Sequence, residues 1–136
     1  MLQLVTHRPG QHQPEFSFFI LNKGMNSGKP LTKPCANCFT AYCSNENEKE
    51  FYYWLCWGLW QAKAFEHFLT GSVILFIRKD ELMHEIRKQA AHINQECYNA
   101  TIAKVQLMAK QEETIKQQLQ LLHQLKQAMI RQHLQK

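Results

Sequence analysis

The chain has 136 residues, of which 45% are hydrophobic and 20% are charged. These proportions are typical of a globular protein and exclude a disordered or collagen-like chain. The length limits the fold to one domain, or to one small domain with an appendage. Sixteen basic and eleven acidic side chains give a formal net charge of +5. This charge permits binding to a polyanion but does not require it.

The N-terminal sequence lacks a basic segment followed by an apolar run, so it does not predict a signal peptide. The most apolar stretch, residues 51–77, is interrupted by Gln61, Lys63 and Glu66 and is too broken to span a membrane. An odd number of cysteines, five, argues against a disulfide framework. We therefore expect a soluble, cytoplasmic protein without a membrane partner.

The first half of the chain predicts a small α+β globular head over residues 1–79. Short apolar runs at residues 2–6 and 16–21 favour two strands, and residues 39–43 can form a third. Between them, residues 22–34 are rich in Gly, Pro, Asn and Lys, which is typical of a loop.

An aromatic helix is predicted to follow this loop region. Asn45 can cap its N-terminus, with Glu48 three residues later, and the helix should continue to about Leu69. Gly71 then supplies the C-terminal stop, and residues 72–77 read as a buried strand because most of them are β-branched or aromatic.

The aromatic side chains of this helix occupy more than one face, which favours a helix buried on several sides, with Trp57 in the core. The alternative is an exposed surface on which nucleic-acid bases stack. The side chains concerned are Phe51, Tyr52, Tyr53, Trp54, Trp57, Trp60, Phe65 and Phe68.

Residues 80–136 contain neither Pro nor Gly and predict a long helical arm of coiled-coil character that begins with Asp80 as its N-cap. As one helix the arm would measure about 80 Å, which is too long to be buried in a small domain. Apolar residues recur every seven positions, with a shift near residue 107 and a break expected around residues 97–101. One straight helix and two antiparallel helices both fit this pattern. The predicted oligomerisation residues are Ile115, Leu119, Leu122, Leu125 and Met129.

The cysteines offer a possible zinc site but no catalytic chemistry. Cys35 and Cys38 form a CxxC pair, with Cys43 five residues further on, and these thiols could share a zinc ion if Cys56 or His67 supplied the fourth ligand. The simpler interpretation is that these cysteines are partly buried structural residues that bind no metal. No phosphate-binding, dinucleotide-binding or hydrolase motif is present. We therefore expect no enzyme activity, no cofactor and no small-molecule substrate.

The sequence also carries a resemblance to a DNA-recognition family. The helix FYYWLCWGLWQAKAFEHFL is followed by TGSV at residues 70–73, a predicted strand, KDEL at residues 79–82 and a long helix. This order resembles the end of a target-recognition domain in the DNA-specificity subunits of type I restriction–modification systems. Residues 121–130 are similar to the helix that closes those subunits. The family's proline-rich segment is absent here, and the part before the helix is too short for a complete recognition domain.

A second resemblance concerns the segment LNKGMNSGKPLTKPCANCF, which is similar to small uncharacterised proteins of Bacteroidetes. That group implies no function. The restriction–modification resemblance implies a non-catalytic module that binds duplex DNA with its globular part and pairs through its C-terminal helix with a second copy or a partner helix. The alternative is an assembly protein whose arm is the functional part and which binds no nucleic acid.

Charge and loop character identify the residues that would contact DNA in this interpretation. Basic side chains neutralise phosphates and position the protein, whereas amides can reach base edges. The predicted phosphate contacts are Lys23, Lys29, Lys33, Arg78 and Lys79, and the predicted base contacts are Asn22 and Asn26.

Overall fold

An antiparallel sheet followed by helices forms the fold, as a computed structural model of residues 2–134 shows. The predicted α+β class with a long C-terminal helix is confirmed. Met1, Gln135 and Lys136, at the ends of the two predicted segments, lie outside the described residues. The strands are β1 (Gln3–Thr6), β2 (Ser17–Leu21), β3 (Pro30–Leu31) and β4 (Cys38–Tyr42). The helices are α1 (Glu46–Gln61), a 3-10 turn (Glu66–Phe68), α2 (Lys79–His92) and α3 (Gln95–Arg131).

The sheet has the strand order β1-β4-β2-β3, with every neighbouring pair antiparallel. Thr40 of β4 lies opposite Val5 on one side and Phe19 on the other, so β4 is an inner strand. Its residues 38–41 are all buried, whereas in β1 Leu4 is the buried residue and its neighbours are exposed. This difference is expected between a strand paired on both sides and an edge strand with one solvent-facing surface.

The start of α1 agrees with the sequence, but its end does not. The Asn45 side chain accepts a hydrogen bond from the Glu48 N–H at 2.8 Å, which is the predicted cap. The helix ends at Gln61 instead of Leu69. Lys63 adopts the left-handed conformation with φ 60°, and the Ala64 N–H donates to the carbonyl oxygen of Leu59 at 2.9 Å. This is a Schellman termination with Lys63 at the position that Gly usually occupies, so the predicted stop at Gly71 is wrong.

The aromatic side chains of α1 are less buried than their composition indicates. Phe51, Leu55 and Cys56 are buried, but Trp57 is 37% exposed, so its predicted place in the core is wrong. Trp57 meets Trp54 edge to face at 5.6 Å. In such a pair the edge of one ring meets the face of the other, so the two rings do not present parallel faces on which nucleic-acid bases could stack together.

The core of the first part of the chain lies between the sheet, α1 and α2. Phe18 of β2 is 1% exposed and packs edge to face against Tyr53 of α1 at 5.6 Å. Aromatic pairs of this geometry add to the stabilisation from buried area. The bulky apolar side chains that are almost fully buried are Phe18, Ile20, Phe65, Leu82 and Ile86.

Residues 72–77 do not form the predicted buried strand. Thr70 and Phe76 pair as the ends of a hairpin, with the Thr70 N–H donating to the Phe76 carbonyl oxygen at 2.9 Å and the reverse bond at 2.8 Å. Val73 is 93% exposed at its tip, whereas Ile77 is buried. The run of apolar residues is therefore divided between a turn and the core, which its composition does not reveal.

The predicted arm is two helices, because α2 ends at His92 and α3 begins at Gln95. The break lies at Ile93, which has extended backbone angles, and not within residues 97–101. Leu82 and Ile86 of α2 are buried, and the first compact unit of the chain extends to Gln95. The second unit begins at Glu96. The helix α2 therefore belongs to the same compact unit as the sheet. The predicted single arm over residues 80–136 is divided between the two units.

Candidate interaction surfaces

Two backbone segments that are far apart in the sequence pair beside the sheet. The Ile77 N–H donates to the carbonyl oxygen of Asn22 at 3.1 Å. The Gly24 N–H donates to the carbonyl oxygen of Leu75 at 2.6 Å. These bonds satisfy polar backbone groups that would otherwise be costly to bury. They also hold the loop that contains Gly24 against the 70–76 hairpin.

This pairing makes neighbours of basic residues from both segments. Lys23 lies opposite Phe76 in an antiparallel bridge, and Arg78 follows Phe76 by two residues. We call Lys23, Arg78 and Lys79 the basic edge, and all three are exposed. Asp80 and Glu81 lie in the first turn of α2, so three bases and two acids leave the edge with a small positive charge.

The other predicted DNA-contacting residues lie in different surroundings. The Lys29 ammonium is 5.0 Å from the centre of the Trp60 ring, a cation–π contact outside the basic edge. Lys33 and Asn26 are exposed in loops. The Asn22 side-chain oxygen is buried without a hydrogen-bond partner among residues 2–134. The structure therefore places Asn22 beside the basic edge but buries the oxygen that would read a base.

The glycines of the 24–28 loop have structural explanations. Gly24 has φ 92° and Gly28 has φ 99°, both in the region that favours glycine. A Cβ atom at Gly28 would lie 2.2 Å from the Phe65 ring. The Ser27 hydroxyl donates to the Gly24 carbonyl oxygen at 2.7 Å and closes the turn. Gly28 is thus required because the Phe65 ring packs directly against its Cα. The glycines alone do not indicate a phosphate site.

A cleft of about 150 Å³ lies between this loop and the end of α1. Its walls combine the Trp60 ring with one basic side chain, Lys63, and one acidic side chain, Glu66. Ser27 also lines the cleft, but its hydroxyl donates to the Gly24 carbonyl oxygen, and no hydrogen bond pairs it with Glu66. The expectation that the chain is not an enzyme stays a prediction.

The tip of the hairpin is an exposed apolar feature that sequence reasoning missed. Val73 is 93% exposed and Ile74 is 62% exposed. Gly71 has φ 111°, and a Cβ atom there would lie 2.4 Å from the Ile74 carbonyl oxygen. Only glycine fits such a close turn without strain, so Gly71 shapes the tip. This glycine is the one sequence signal for a turn, and its position after the aromatic residues predicts the end of α1 instead.

The largest exposed apolar surface of the second unit lies along α3. Its 37 residues measure about 55 Å, and its predicted oligomerisation residues are exposed. At about 100° per residue these five side chains fall within roughly 120° of the helix circumference, together with Lys126. We call the following residues the α3 stripe: Ile115, Leu119, Leu122, Leu125 and Met129, with exposed fractions of 53%, 67%, 58%, 54% and 57%.

The cysteines of the zinc alternative are not brought together. The Cys35 N–H points at the Cys38 sulfur at 3.5 Å, and the Cys38 thiol donates to the Cys35 carbonyl oxygen at 3.2 Å. Cys43 lies beyond the other end of β4, about 16 Å along an extended strand. Among residues 2–134, no three His, Cys, Asp or Glu side chains cluster in a way that could hold a metal ion, and neither Cys56 nor His67 completes such a group.

Burial makes two of the thiols poor nucleophiles. It raises the pKa of Cys43 to about 12, with a further contribution from the nearby Glu48 carboxylate. Burial also raises the pKa of the fully buried Cys56 thiol, and Cys43 adds to this effect. Because the thiolate is the reactive and metal-binding form, both side chains behave as small apolar residues at neutral pH.

Thiol labelling should therefore discriminate between the cysteines. At pH 8 a thiol with a pKa of about 12 is ionised in only about one molecule in ten thousand, so Cys43 and Cys56 should react slowly with iodoacetamide. Cys97 is exposed on α3 and should be modified first. Peptide mass spectrometry at timed intervals measures the order. Modification of Cys56 at the rate of Cys97 in the folded protein would show that this burial is wrong.

Within residues 2–134, no helix combines the length and the apolar composition that crossing a lipid bilayer requires. This agrees with the sequence pattern, in which charged residues interrupt the most apolar stretch.

Taken together, the fold defines a small α+β protein with an exposed apolar surface on a long C-terminal helix. The chain belongs to the Family of unknown function (DUF6943), whose model matches residues 4–132. The expectation of an uncharacterised family is thus confirmed at that level. No curated protein and no solved structure matches the chain significantly. The likenesses to Bacteroidetes proteins and to restriction–modification specificity subunits stay predictions.

Proposed function

We propose that this chain is a non-catalytic assembly protein that pairs with a second copy of itself through α3. The observation that supports the proposal is the α3 stripe, whose five apolar side chains are all more than half exposed. Contiguous exposed apolar surface of this kind marks interaction sites in soluble proteins. Covering it removes apolar area from water, at about 1.5–3 kcal/mol for each aliphatic side chain that becomes fully buried.

A second copy is the partner that fits the stripe best. Ile115, Leu122 and Met129 repeat every seven residues, with Leu119 and Leu125 between them, which is the spacing of a helix that pairs with another helix. An identical stripe on each chain makes a symmetric, self-complementary interface. This arrangement is the common element of both functions that the sequence allowed.

The charges along α3 predict how pairing responds to salt. Residues 114–131 contain basic side chains and no acidic one. Two copies therefore bring like charges together, and added salt should strengthen pairing by screening their repulsion. Binding to DNA has the opposite salt dependence, so the two activities can be separated in one titration.

Subunit exchange tests the proposal directly. Two preparations of the full chain, labelled at Cys97 with a donor and an acceptor dye, should show energy transfer on mixing. The signal should fall on dilution or when excess unlabelled chain is added. Absence of energy transfer at every concentration, together with a mass that stays at the single-chain value in the same samples, would refute self-pairing and would leave a different protein as the partner for the α3 stripe.

Duplex DNA is a second candidate partner, and the convergence of Lys23 with Arg78 and Lys79 favours it. Basic side chains at one edge can neutralise adjacent phosphates. The resemblance to target-recognition domains supports the same assignment, although residues 72–77 form a hairpin where that family has a strand. Lys29, Lys33 and Asn26 are additional proposed contacts, with Lys29 available only if it leaves the Trp60 ring.

Neutralising the basic edge should weaken DNA binding and its dependence on salt. In the variant Lys23→Gln/Arg78→Gln/Lys79→Gln, loss of three phosphate contacts should reduce the slope of log affinity against log salt by about three. Fluorescence anisotropy with random-sequence duplex DNA, at a series of low salt concentrations, measures the slope.

The matched control removes the same charge from other exposed bases of the first unit, as Arg8→Gln/Arg87→Gln/Lys88→Gln. This control should retain most of the wild-type slope. Equal slopes for the two triple variants would show that net charge alone attracts DNA. Failure of the wild-type chain to bind DNA at low salt would rule out this candidate.

A further inference from the structure

The apolar tip of the 70–76 hairpin is held in place from both sides. Thr70 and Phe76 exchange backbone hydrogen bonds at its base, at 2.9 and 2.8 Å. Leu75 is bonded in turn to Gly24 of the neighbouring loop. Val73, which is 93% exposed, is therefore presented on an anchored turn rather than on a free end.

The basic edge lies at the base of this hairpin. Lys23 is opposite Phe76, and Arg78 follows two residues later. Val73 is three residues from Phe76, so the tip can project at most about 10 Å from the backbone at the base of the hairpin. The minor groove of DNA is about 7.5 Å deep. A hairpin of this reach can touch the groove floor while Lys23 and Arg78 stay at the phosphates.

Few apolar side chains are needed for such a contact. Proteins that bind the minor groove insert one or two apolar side chains between base pairs, which partly unstacks the bases and bends the duplex. Val73 and Ile74 are adjacent aliphatic residues of suitable size at the tip. Their exposure has no structural benefit for the isolated chain, because apolar area stays in contact with water.

A lipid surface is the other partner that combines apolar and anionic character. Side chains that anchor proteins at a membrane interface are commonly Trp and Tyr. Neither occurs within residues 69–82, and two aliphatic side chains provide little area for insertion into lipid.

We infer that the 70–76 hairpin is a wedge that inserts Val73 and Ile74 between base pairs of duplex DNA. The inference rests on the DNA-binding candidate described above and specifies how that site engages its partner. Flexible pyrimidine–purine steps such as TA are the preferred points of insertion, because they unstack most easily.

A duplex with 2-aminopurine at a central TA step tests the wedge. Binding of the full chain at low salt should raise the fluorescence of this base analogue, because unstacking relieves its quenching. In Val73→Ser/Ile74→Ser the rise should disappear, and affinity measured by anisotropy should fall by about tenfold as two apolar contacts are lost. Both residues are exposed, so the variant should keep the wild-type circular dichroism spectrum.

The matched control is Met25→Ser, which removes an exposed apolar side chain close to the basic edge but outside the hairpin. It should leave fluorescence and affinity unchanged. Binding of wild-type chain without a fluorescence rise would overturn the wedge and leave DNA binding at the basic edge intact. Absence of DNA binding would overturn both. Retention on phosphatidylserine vesicles that depends on Val73 and Ile74, with no fluorescence rise on DNA, would assign the tip to lipid and also overturn the wedge.

Discussion

Placing aspartate at Leu119 and Leu122 is expected to convert the paired chain into monomers. Each substitution removes an aliphatic side chain that pairing buries and puts a carboxylate in its place. A symmetric pair would contain four such carboxylates. We expect the dissociation constant to rise by at least about a thousandfold, which corresponds to roughly 4 kcal/mol. Sedimentation velocity of Leu119→Asp/Leu122→Asp measures the change.

The control for this variant is Gln117→Asp/Gln124→Asp, which adds the same charge to the opposite side of α3. It should stay paired at the same concentration. Circular dichroism should show equal helix content for both variants if each keeps its fold. An unchanged sedimentation coefficient for the stripe variant would show that pairing, where it occurs, uses another surface.

Phe18→Ala is expected to cost about 3–5 kcal/mol of the free energy of unfolding. Phe18 is 1% exposed and contacts Tyr53 edge to face, so truncation leaves a cavity between β2 and α1. Small domains are stable by only about 5–15 kcal/mol, and the variant should be largely unfolded under mild denaturing conditions. Urea titration followed by tryptophan fluorescence measures the loss.

Trp57→Ala is the comparison that tests the assignment of the core. A larger side chain is removed, but it is 37% exposed, so we expect less than half the loss seen for Phe18→Ala. A greater loss for Trp57→Ala than for Phe18→Ala would mean that Trp57 is the more important core residue and that its position in α1 is wrong.

The strands β1, β2 and β4 and the start of α1 could be predicted from the sequence because their signals are local, whereas β3 lies within residues 22–34, which predict a loop. Apolar runs mark β1, β2 and β4 within one or two residues. Asn45 and Glu48 form a capping pattern that needs only one turn of backbone. Boundaries of this kind depend on side chains that are close in the sequence.

The end of α1 and the hairpin could not be predicted, because each depends on contacts between distant parts of the chain. The helix terminates with Lys63, not Gly, in the left-handed conformation, so no glycine marks the position. The sequence therefore predicts that the helix continues past Lys63 and stops at Gly71. Its actual role, a close approach to the Ile74 carbonyl oxygen, appears only when the hairpin is formed.

The division of the C-terminal half follows from packing and not from composition. Ile86 and Ile93 also recur at a seven-residue spacing, one position out of register with the later residues, yet Ile86 is fully buried and Ile93 is extended between α2 and α3. Helical periodicity identifies an apolar face but not the surface that covers it. For the α3 stripe the heptad spacing and the exposure agree, and oligomerisation through these residues stays a prediction.

The basic edge illustrates the opposite case. Lys23 and Arg78 are both predicted DNA contacts because of their charge and loop character, and nothing in the sequence indicates that they are neighbours. Backbone hydrogen bonds from Ile77 to Asn22 and from Gly24 to Leu75 bring them together. Lys29 was grouped with Lys23 by proximity along the chain, but its ammonium group lies over Trp60.

Sedimentation equilibrium of the unmodified chain over a wide concentration range is the most direct measurement of whether the α3 stripe is covered in solution. Self-pairing predicts an average mass that rises with concentration to twice that of one chain. Added salt should shift this rise to lower protein concentrations. A mass that stays at the single-chain value across the range, in both low and high salt, would contradict it.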